Sequence, residues 1–239
     1  MATGKMIVID ECNRQDIADS IPEIWDLLSM EQKDILTGSA NIRRFSKNEL
    51  IYKEDESPEF LFSLISGKVK VFKSGAWGKT QIVRLVSPAG LFGFRAAFAG
   101  ENYMTSASAL EESTLCAIPV KVMKDIIRQN INVAIVFIKQ LAYMLGDADL
   151  LTVNLTQKHI RARMADSLIK VKEKYGVEDD GNTLCINTSR EDLANTSGMT
   201  TNNAIRTLSA FATEGIIKLN GKKIKILDEE KLQEIASRG

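Results

Sequence analysis

The sequence has few of the residues that build metal, haem and disulfide sites. Its 239 residues include one histidine and three cysteines. The cysteines, Cys12, Cys116 and Cys185, form no Cys-x-x-Cys pair and leave an odd count, which is not typical of a disulfide-stapled secreted domain. An iron–sulfur cluster needs about four thiolates, and three dispersed ones argue against it. We therefore expect no metal site.

The chain also lacks net charge, long apolar runs and catalytic motifs. Its formal net charge at pH 7 is zero, so any attraction to a polyanion must be local. No uninterrupted apolar run reaches the length of a membrane span, and the N-terminus lacks the pattern of a signal peptide. The sequence has no carboxylate pair, nucleophile–base spacing or phosphate loop. We expect a reduced, cytoplasmic protein that contacts no membrane and is not an enzyme.

Short β-type runs separated by turn residues occupy the chain from Ile42 to Ile118. Evenly spaced strands of this kind predict an antiparallel barrel or jelly roll. We assign residues 22–129 to this domain and expect a short helix before the strands, at Ile24–Leu36. The predicted strands are Leu50–Tyr52, Phe60–Ile65, Lys68–Phe72, Gln81–Leu85 and Ser113–Ile118.

A long helical stretch follows, from about Val120 to Gln157, with a break expected near Gln129–Asn130. Steps of four and three residues relate six of its side chains, which is the spacing of a two-stranded coiled-coil seam. We therefore predict a homodimer formed through residues 130–158; the alternative is that this stripe packs on the chain's own barrel. The predicted seam is Phe137, Leu141, Met144, Ala148, Leu151 and Leu155.

The remaining residues, 159–239, start with a helix predicted at Ile160–Tyr175. The stretch Asn187-Thr188-Ser189-Arg190-Glu191-Asp192 has the cap residues and first-turn acids of a helix start. Gly198 then supplies a turn, and Thr200 followed by Asn203 begins another helix. Asn220-Gly221 lies between two short strands and predicts a hairpin. Two helices joined by a tight turn and followed by a hairpin predict a winged helix-turn-helix, which lays its second helix in a DNA groove.

This second helix divides into a packing face and a polar face. Ala204, Ile205, Leu208, Phe211 and Ala212 recur at helical spacing and are predicted to pack. The polar face offers amides and a guanidinium, which pair with adenine and guanine edges. Lysines on the hairpin would lie near phosphates, or could guard an edge strand. The predicted DNA contacts are Ser189, Arg190, Thr200, Thr201, Asn202, Asn203, Arg206, Ser209, Lys222 and Lys223.

The order of these elements resembles the CRP/FNR family of bacterial transcription regulators, from about Ile24 to Leu227. The motifs that carry the resemblance are Phe45–Ile51, Leu64–Val71, Gly90–Gly93, Ser189–Ala194 and the spacing from Arg206 to Ile217. The resemblance implies an α+β protein with an N-terminal antiparallel β-roll, jelly-roll-like and of the cyclic-nucleotide-binding kind. A long dimerisation helix and a C-terminal winged helix-turn-helix would follow. It also implies a homodimer on a palindromic double-stranded DNA operator, with RNA polymerase as a partner if the protein is an activator.

The chain departs from the cyclic-AMP-binding members of that family. Phe94 stands where they carry the Glu that contacts ribose, and Met104-Thr105 where an Arg-Ser pair binds the phosphate. Methionine cannot replace the charge-assisted hydrogen bonds of arginine. Ala148-Asp149 replaces the Thr-Ser pair that contacts adenine. We therefore expect a β-roll that senses another effector, whose identity and cofactors are unknown, or that acts without ligand; the pocket candidates are Phe94, Arg95, Met104, Thr105 and Asp149.

The resemblance also bears on the operator. Members that read TGTGA carry an Arg-Glu pair where this chain has Thr201-Asn202, whereas Arg206 is retained. The sequence thus predicts a palindrome richer in A·T pairs. A second interpretation is a regulatory or scaffold protein that binds no DNA and uses the roll and helix for protein contacts. His159 lies at the predicted hinge, where an N-cap role is expected ahead of metal or haem ligation.

Overall fold

The computed structural model describes residues 8–11, 13–75, 78–186 and 188–238; Cys12 and Asn187 lie outside them. The chain forms two compact units. The first comprises residues 1–73 and 86–146, and the second comprises residues 74–85 and 147–239. One long helix, α6 (Ile131–Gln157), passes from the first unit into the second.

Antiparallel strands form the frame of the first unit. The strands are β1 (Val8–Glu11), β2 (Asn41–Phe45), β3 (Leu50–Tyr52), β4 (Phe60–Ser66), β5 (Val69–Ser74), β7 (Leu91–Phe92), β8 (Ser106–Ala109) and β9 (Ser113–Pro119). The remaining strand, β6 (Thr80–Val86), lies almost wholly in the second unit. The larger sheet has the order β1-β2-β9-β4-β7. In the other sheet β8 pairs with both β3 and β5. This arrangement confirms the predicted antiparallel roll.

Aromatic rings fill part of the interior of the roll. Tyr52 and Tyr103 stack with ring centroids 3.9 Å apart, and Phe62 and Phe92 stack at 5.5 Å. The hydroxyl of Tyr103 donates a hydrogen bond to the carbonyl of Phe60 at 3.0 Å. Burial raises the pKa of Tyr103, so the phenol stays protonated and keeps this donor. The rings occupy space that an open barrel would leave for a ligand.

The helices of the first unit follow the local capping signals. They are α1 (Arg14–Ser20), α2 (Pro22–Trp25), α3 (Met30–Ser39), α4 (Phe94–Ala99) and α5 (Val120–Gln129). The single helix predicted over Ile24–Leu36 is wrong, because Ser29 and Gln32 form a reciprocal capping box that starts α3 anew. The predicted break near Asn130 is confirmed: its backbone is extended, and its side chain donates to the carbonyl of Leu27 at 2.8 Å.

The second unit contains the predicted helix-turn-helix and hairpin. Its elements after α6 are α7 (Ile160–Tyr175), α8 (Arg190–Ser197), α9 (Thr201–Thr213), β10 (Ile217–Asn220), β11 (Lys223–Ile226) and α10 (Glu229–Ser237). Gly198 ends α8 with φ +62°, and a side chain at this position would collide with Leu155. The turn therefore needs glycine for two reasons: its left-handed backbone and its close approach to α6.

Candidate nucleic-acid interface

The start of α9 presents its polar residues to solvent. Thr200 caps the helix, its hydroxyl accepting from the backbone N–H of Asn203 at 3.3 Å. Thr201 and Asn202 follow, both exposed. Arg206 lies one turn further and is exposed, with no ion pair to any residue that the structure describes. These side chains form an open polar face at the N-terminal half of a helix, which is the part that reads bases in helix-turn-helix proteins.

Ile205 departs from the predicted packing face. Its side chain is 45% exposed and lies on the same side of α9 as Asn202, Arg206 and the exposed Ser209. The buried face consists instead of Ala204, Thr207, Leu208 and Phe211. These four follow the i, i+3, i+4, i+7 pattern of a helix face. Ile205 falls outside that pattern, so its exposure could have been predicted from the sequence. An exposed isoleucine can contact a thymine methyl group.

Two residues predicted to contact DNA are instead engaged within the protein. The Ser189 hydroxyl accepts from the backbone N–H of Asp192 at 2.9 Å and donates to its carboxylate at 2.7 Å. Arg190 donates from Nη2 to the carbonyl of Gly221, at the tip of the hairpin, at 2.8 Å. Burial lowers the pKa of Arg190. Ser189 thus caps α8, and Arg190 holds the hairpin in place.

The hairpin lysines differ in their partners. Lys223 contacts Glu178 at 2.8 Å and Lys225 contacts Asp180 at 3.0 Å. The carboxylate of Asp180 also accepts from the backbone and hydroxyl of Thr183, and these hydrogen bonds hold its pKa well below the usual range. Lys222, in contrast, is exposed and makes no ion pair within the described part of the chain. Lys222 is therefore available to a phosphate, as is the exposed Lys218 of β10.

The five effector-pocket candidates differ in burial and in their contacts. Phe94 is buried in the core of the first unit, whereas Met104 is 53% exposed. Arg95 forms an ion pair with Glu101 at 2.6 Å, and Thr105 is half-buried. Asp149 is exposed on the part of α6 that belongs to the second unit. The ring of Phe94 packs instead against Phe98 and Phe137.

The predicted dimer seam lies on the inner side of α6. Phe137 is 2% exposed, and Leu141 and Met144 pack against the same core cluster of the first unit. Ala148 is exposed, and Leu151 and Leu155 are half-buried. The assignment of Phe137 to a dimer seam is wrong, because its ring is enclosed by Phe94 and Phe98 of its own chain, at centroid distances of 5.3 and 4.9 Å.

Another side of α6 carries an exposed apolar stripe, here called the outer stripe, one residue along from the predicted seam. One residue is a rotation of about 100° around a helix. Its members also step by four and three, and they include Ile138 at 62% and Leu145 at 64% exposure. By length and composition alone α6 could also cross a membrane, although one such helix is weak support for a span. The outer stripe consists of Ile131, Ile135, Ile138, Ala142 and Leu145.

His159 occupies the N-cap position of α7 as predicted, with an extended backbone, but its side chain makes no capping hydrogen bond. Among the described residues, no three His, Cys, Asp or Glu side chains are grouped so that they could hold a metal ion. Cys116 is buried in the core, and Cys185 is half-buried.

Comparison with known proteins matches both units. The family model of the cyclic nucleotide-binding domain matches residues 42–130, and that of the Crp-like helix-turn-helix domain matches residues 162–235. The "CRP-like cAMP-activated global transcriptional regulator" of Mycobacterium tuberculosis is 23% identical over 79% of this chain and 84% of its own length. The "Cyclic AMP receptor protein" of Thermus thermophilus is 26% identical, over 87% of this chain and 94% of its own. The solved structure of FixK2 from Bradyrhizobium japonicum has the same fold, with a TM-score of 0.75, 23% identity, and coverage of 82% of this chain and 96% of that one.

Proposed function

The chain belongs to the CRP/FNR family of transcription regulators, and we propose on that premise that it is a homodimeric, sequence-specific DNA-binding regulator. The observation that carries this proposal is the exposed polar face of α9, with Thr201, Asn202 and Arg206 at its N-terminal half. We further propose that it acts in the cytoplasm on a palindromic operator, and that it contacts RNA polymerase if it activates transcription.

The outer stripe of α6 supports the dimer. Its apolar members are exposed, and their spacing matches the seam of a two-stranded coiled coil. The inner side of the helix is already engaged by the chain's own core. A second copy that packs its own outer stripe against this one would bury Ile138 and Leu145 on both helices. Dimeric helix-turn-helix proteins bind half-sites about one turn of DNA apart, and we propose the same spacing for the two α9 helices.

The packing around α4 supports regulation without cyclic AMP. Phe94, Phe98 and Phe137 form a cluster of rings between α4 and α6, here called the aromatic plug. Phe94 replaces the acid expected to contact ribose, and its 1% exposure leaves no polar group for a nucleotide at that point. The plug links α4 to α6 through the protein's own side chains, and we infer that this contact takes the place of a bound nucleotide.

The competing proposal is a scaffold protein that retains the fold without binding DNA. A mobility-shift measurement on fragments of genomic DNA separates the two. A regulator gives discrete complexes with a few fragments in the presence of excess nonspecific DNA, and Arg206→Ala weakens them. If all fragments bind alike, or none binds, the protein is not a sequence-specific regulator.

A further inference from the structure

The turn at Gly198 directly precedes α9 and fixes where this helix starts. Gly198 is so close to Leu155, near the C-terminal end of α6, that a side chain at this position would collide with it. The preceding residue, Ser197, is buried, and its hydroxyl lies 2.8 Å from that of Ser167 in α7. The turn thus lies against both α6 and α7, within the second unit.

Arg163 of α7 connects this turn to α6. Its Nη1 donates to the carbonyl of Gly198 at 3.1 Å and lies 3.5 Å from the carbonyl of Leu155, which is a longer and weaker contact. A hydrogen bond from a charged donor is about twice as strong as one between neutral groups. One nitrogen of Arg163 therefore links the turn before α9 to the C-terminal part of the helix proposed to form the dimer.

The surroundings of Arg163 are unfavourable for a cation. Its Nε is buried and has no hydrogen-bond partner in the part of the chain that the structure describes, and the guanidinium forms no ion pair there. An unsatisfied buried donor destabilises the folded state, and natural proteins break such local rules mainly at functional sites. A smaller uncharged residue would avoid this cost. The contact with the turn, rather than stability, therefore accounts for an arginine at this position.

Side-chain packing restrains the turn only in part. A cavity of about 350 Å³ lies beside it, lined by residues from Ile82 to Ser197. Leu155, Arg163 and Ser197 form part of the cavity wall. Dense packing keeps most interior segments in one position, and the cavity interrupts that packing on this side. The hydrogen bonds of Arg163 therefore supply a restraint that the neighbouring side chains do not.

We propose that Arg163 is a positioning residue: it holds α9 against the C-terminal part of α6 and thereby sets the half-site spacing that the dimer accepts. The outer stripe occupies the first half of α6, and Leu155 lies in its second half. One added base pair moves a half-site by about 3.4 Å along the DNA and by about a tenth of a turn around it. An α9 helix held in one position cannot follow that shift. This inference rests on the proposed function of a dimeric DNA-binding regulator.

Binding of the full chain to operators of different spacing tests the proposal. Fluorescence anisotropy compares the preferred operator with versions that carry one base pair more or one less at the centre. The wild type should lose at least about tenfold in affinity with either change. In Arg163→Gln this loss should be at least about fivefold smaller, because α9 can follow the displaced half-site. The preference for the guanine that Arg206 reads should remain, since the exposed face of α9 is unaltered.

Arg190→Gln is the matched control, because it removes another guanidinium that donates to a backbone carbonyl of the second unit. It should weaken binding at all spacings alike. An unchanged spacing preference in Arg163→Gln, or an equal relaxation in Arg190→Gln, overturns the proposal. A wild type that accepts all three spacings equally also overturns it. Arg163→Met keeps the apolar stem and lacks the donors, and it serves as the second variant if Arg163→Gln fails to fold.

Hydrogen exchange on the free protein tests the contact without DNA. The backbone amides of Gly198 and Met199 should exchange at least about fivefold faster in Arg163→Gln than in the wild type, with the hairpin amides unchanged. Equal exchange at the turn overturns the positioning contact. If the wild type shows no specific DNA binding, the proposed function fails, and the exchange rates alone decide whether Arg163 holds the turn.

Discussion

At the scale of single residues, the proposed sequence specificity rests on the exposed face of α9. Arg206 is exposed and makes no ion pair within the described chain, so its guanidinium can reach a guanine edge. Arg206→Ala should weaken specific binding by about 1–3 kcal/mol and relax the preference at one base pair. Fluorescence anisotropy on operator variants measures both effects. Lys222→Ala is the matched control and should weaken all sequences alike; the opposite pattern would exchange the two assignments.

Ile205 contributes to the same face through an apolar contact. Its side chain is 45% exposed beside Arg206, and we expect it to touch a thymine methyl group in the operator. Ile205→Ala should cost about 1 kcal/mol, or about fivefold in affinity, at the preferred operator. Replacing the contacted thymine by uracil should remove this difference. Thr213→Ala, at the far end of α9, should leave affinity unchanged. An unaltered affinity in Ile205→Ala would show that the residue does not face DNA.

At the scale of elements, the inner side of α6 packs against the chain's own core, and the outer stripe is exposed for the proposed dimer. Ile138 lies in the outer stripe and Leu141 packs against the chain's own core. Ile138→Glu should therefore give monomers in sedimentation with little loss of secondary structure, because it buries a charge only in the dimer. Leu141→Glu should mainly lower the melting temperature. Lys139→Glu is the control for added negative charge and should remain dimeric. A stable dimer in Ile138→Glu would place the interface elsewhere.

The aromatic plug is the other element-scale feature. Phe137→Ala removes a ring enclosed by Phe94 and Phe98, and it should lower the free energy of unfolding by about 3–5 kcal/mol, as measured in urea. Because Phe94 of the plug stands where cyclic-AMP-binding members of the family carry the Glu that contacts ribose, excess cyclic AMP should leave the melting temperature of the wild type unchanged. Phe72 is a half-buried phenylalanine of β5 outside the plug, and Phe72→Ala should lower the free energy of unfolding by less than Phe137→Ala does. A rise in melting temperature with cyclic AMP would mean that the plug opens for the nucleotide.

At the scale of the whole molecule, the operator should follow from the proposed homodimer and its two α9 helices. Thr201 and Asn202 favour thymine methyl groups and adenine, and Arg206 favours guanine. Selection from a random DNA pool should recover a palindrome richer in A·T than TGTGA, with one guanine in each half-site and half-sites one helical turn apart. The Thr201→Arg, Asn202→Glu double variant should shift the recovered sites toward TGTGA. Recovery of TGTGA by the wild type would show that these two residues do not set specificity.

Local signals in the sequence determined much of this architecture. Ser189 and Thr200 cap α8 and α9 as predicted, Gly198 forms the turn between them, and Gly221 turns the hairpin with a positive φ. The bounds of α7 also agree with the prediction. Caps and turns depend on hydrogen bonds and backbone angles within about four residues, and a sequence contains those directly.

Only the tertiary structure decided which side of a helix faces which partner. A repeat of four and three fits both the inner and the outer side of α6, and the packing of Phe137 against α4 leaves the outer stripe for the proposed dimer. The partners of Arg190 and Lys223 lie 31 and 45 residues away, and no local pattern predicts them. The cavity likewise joins segments from Ile82 to Ser197. Helical periodicity defines a face but not its neighbour, because the neighbour comes from contacts that the chain makes only when it is folded.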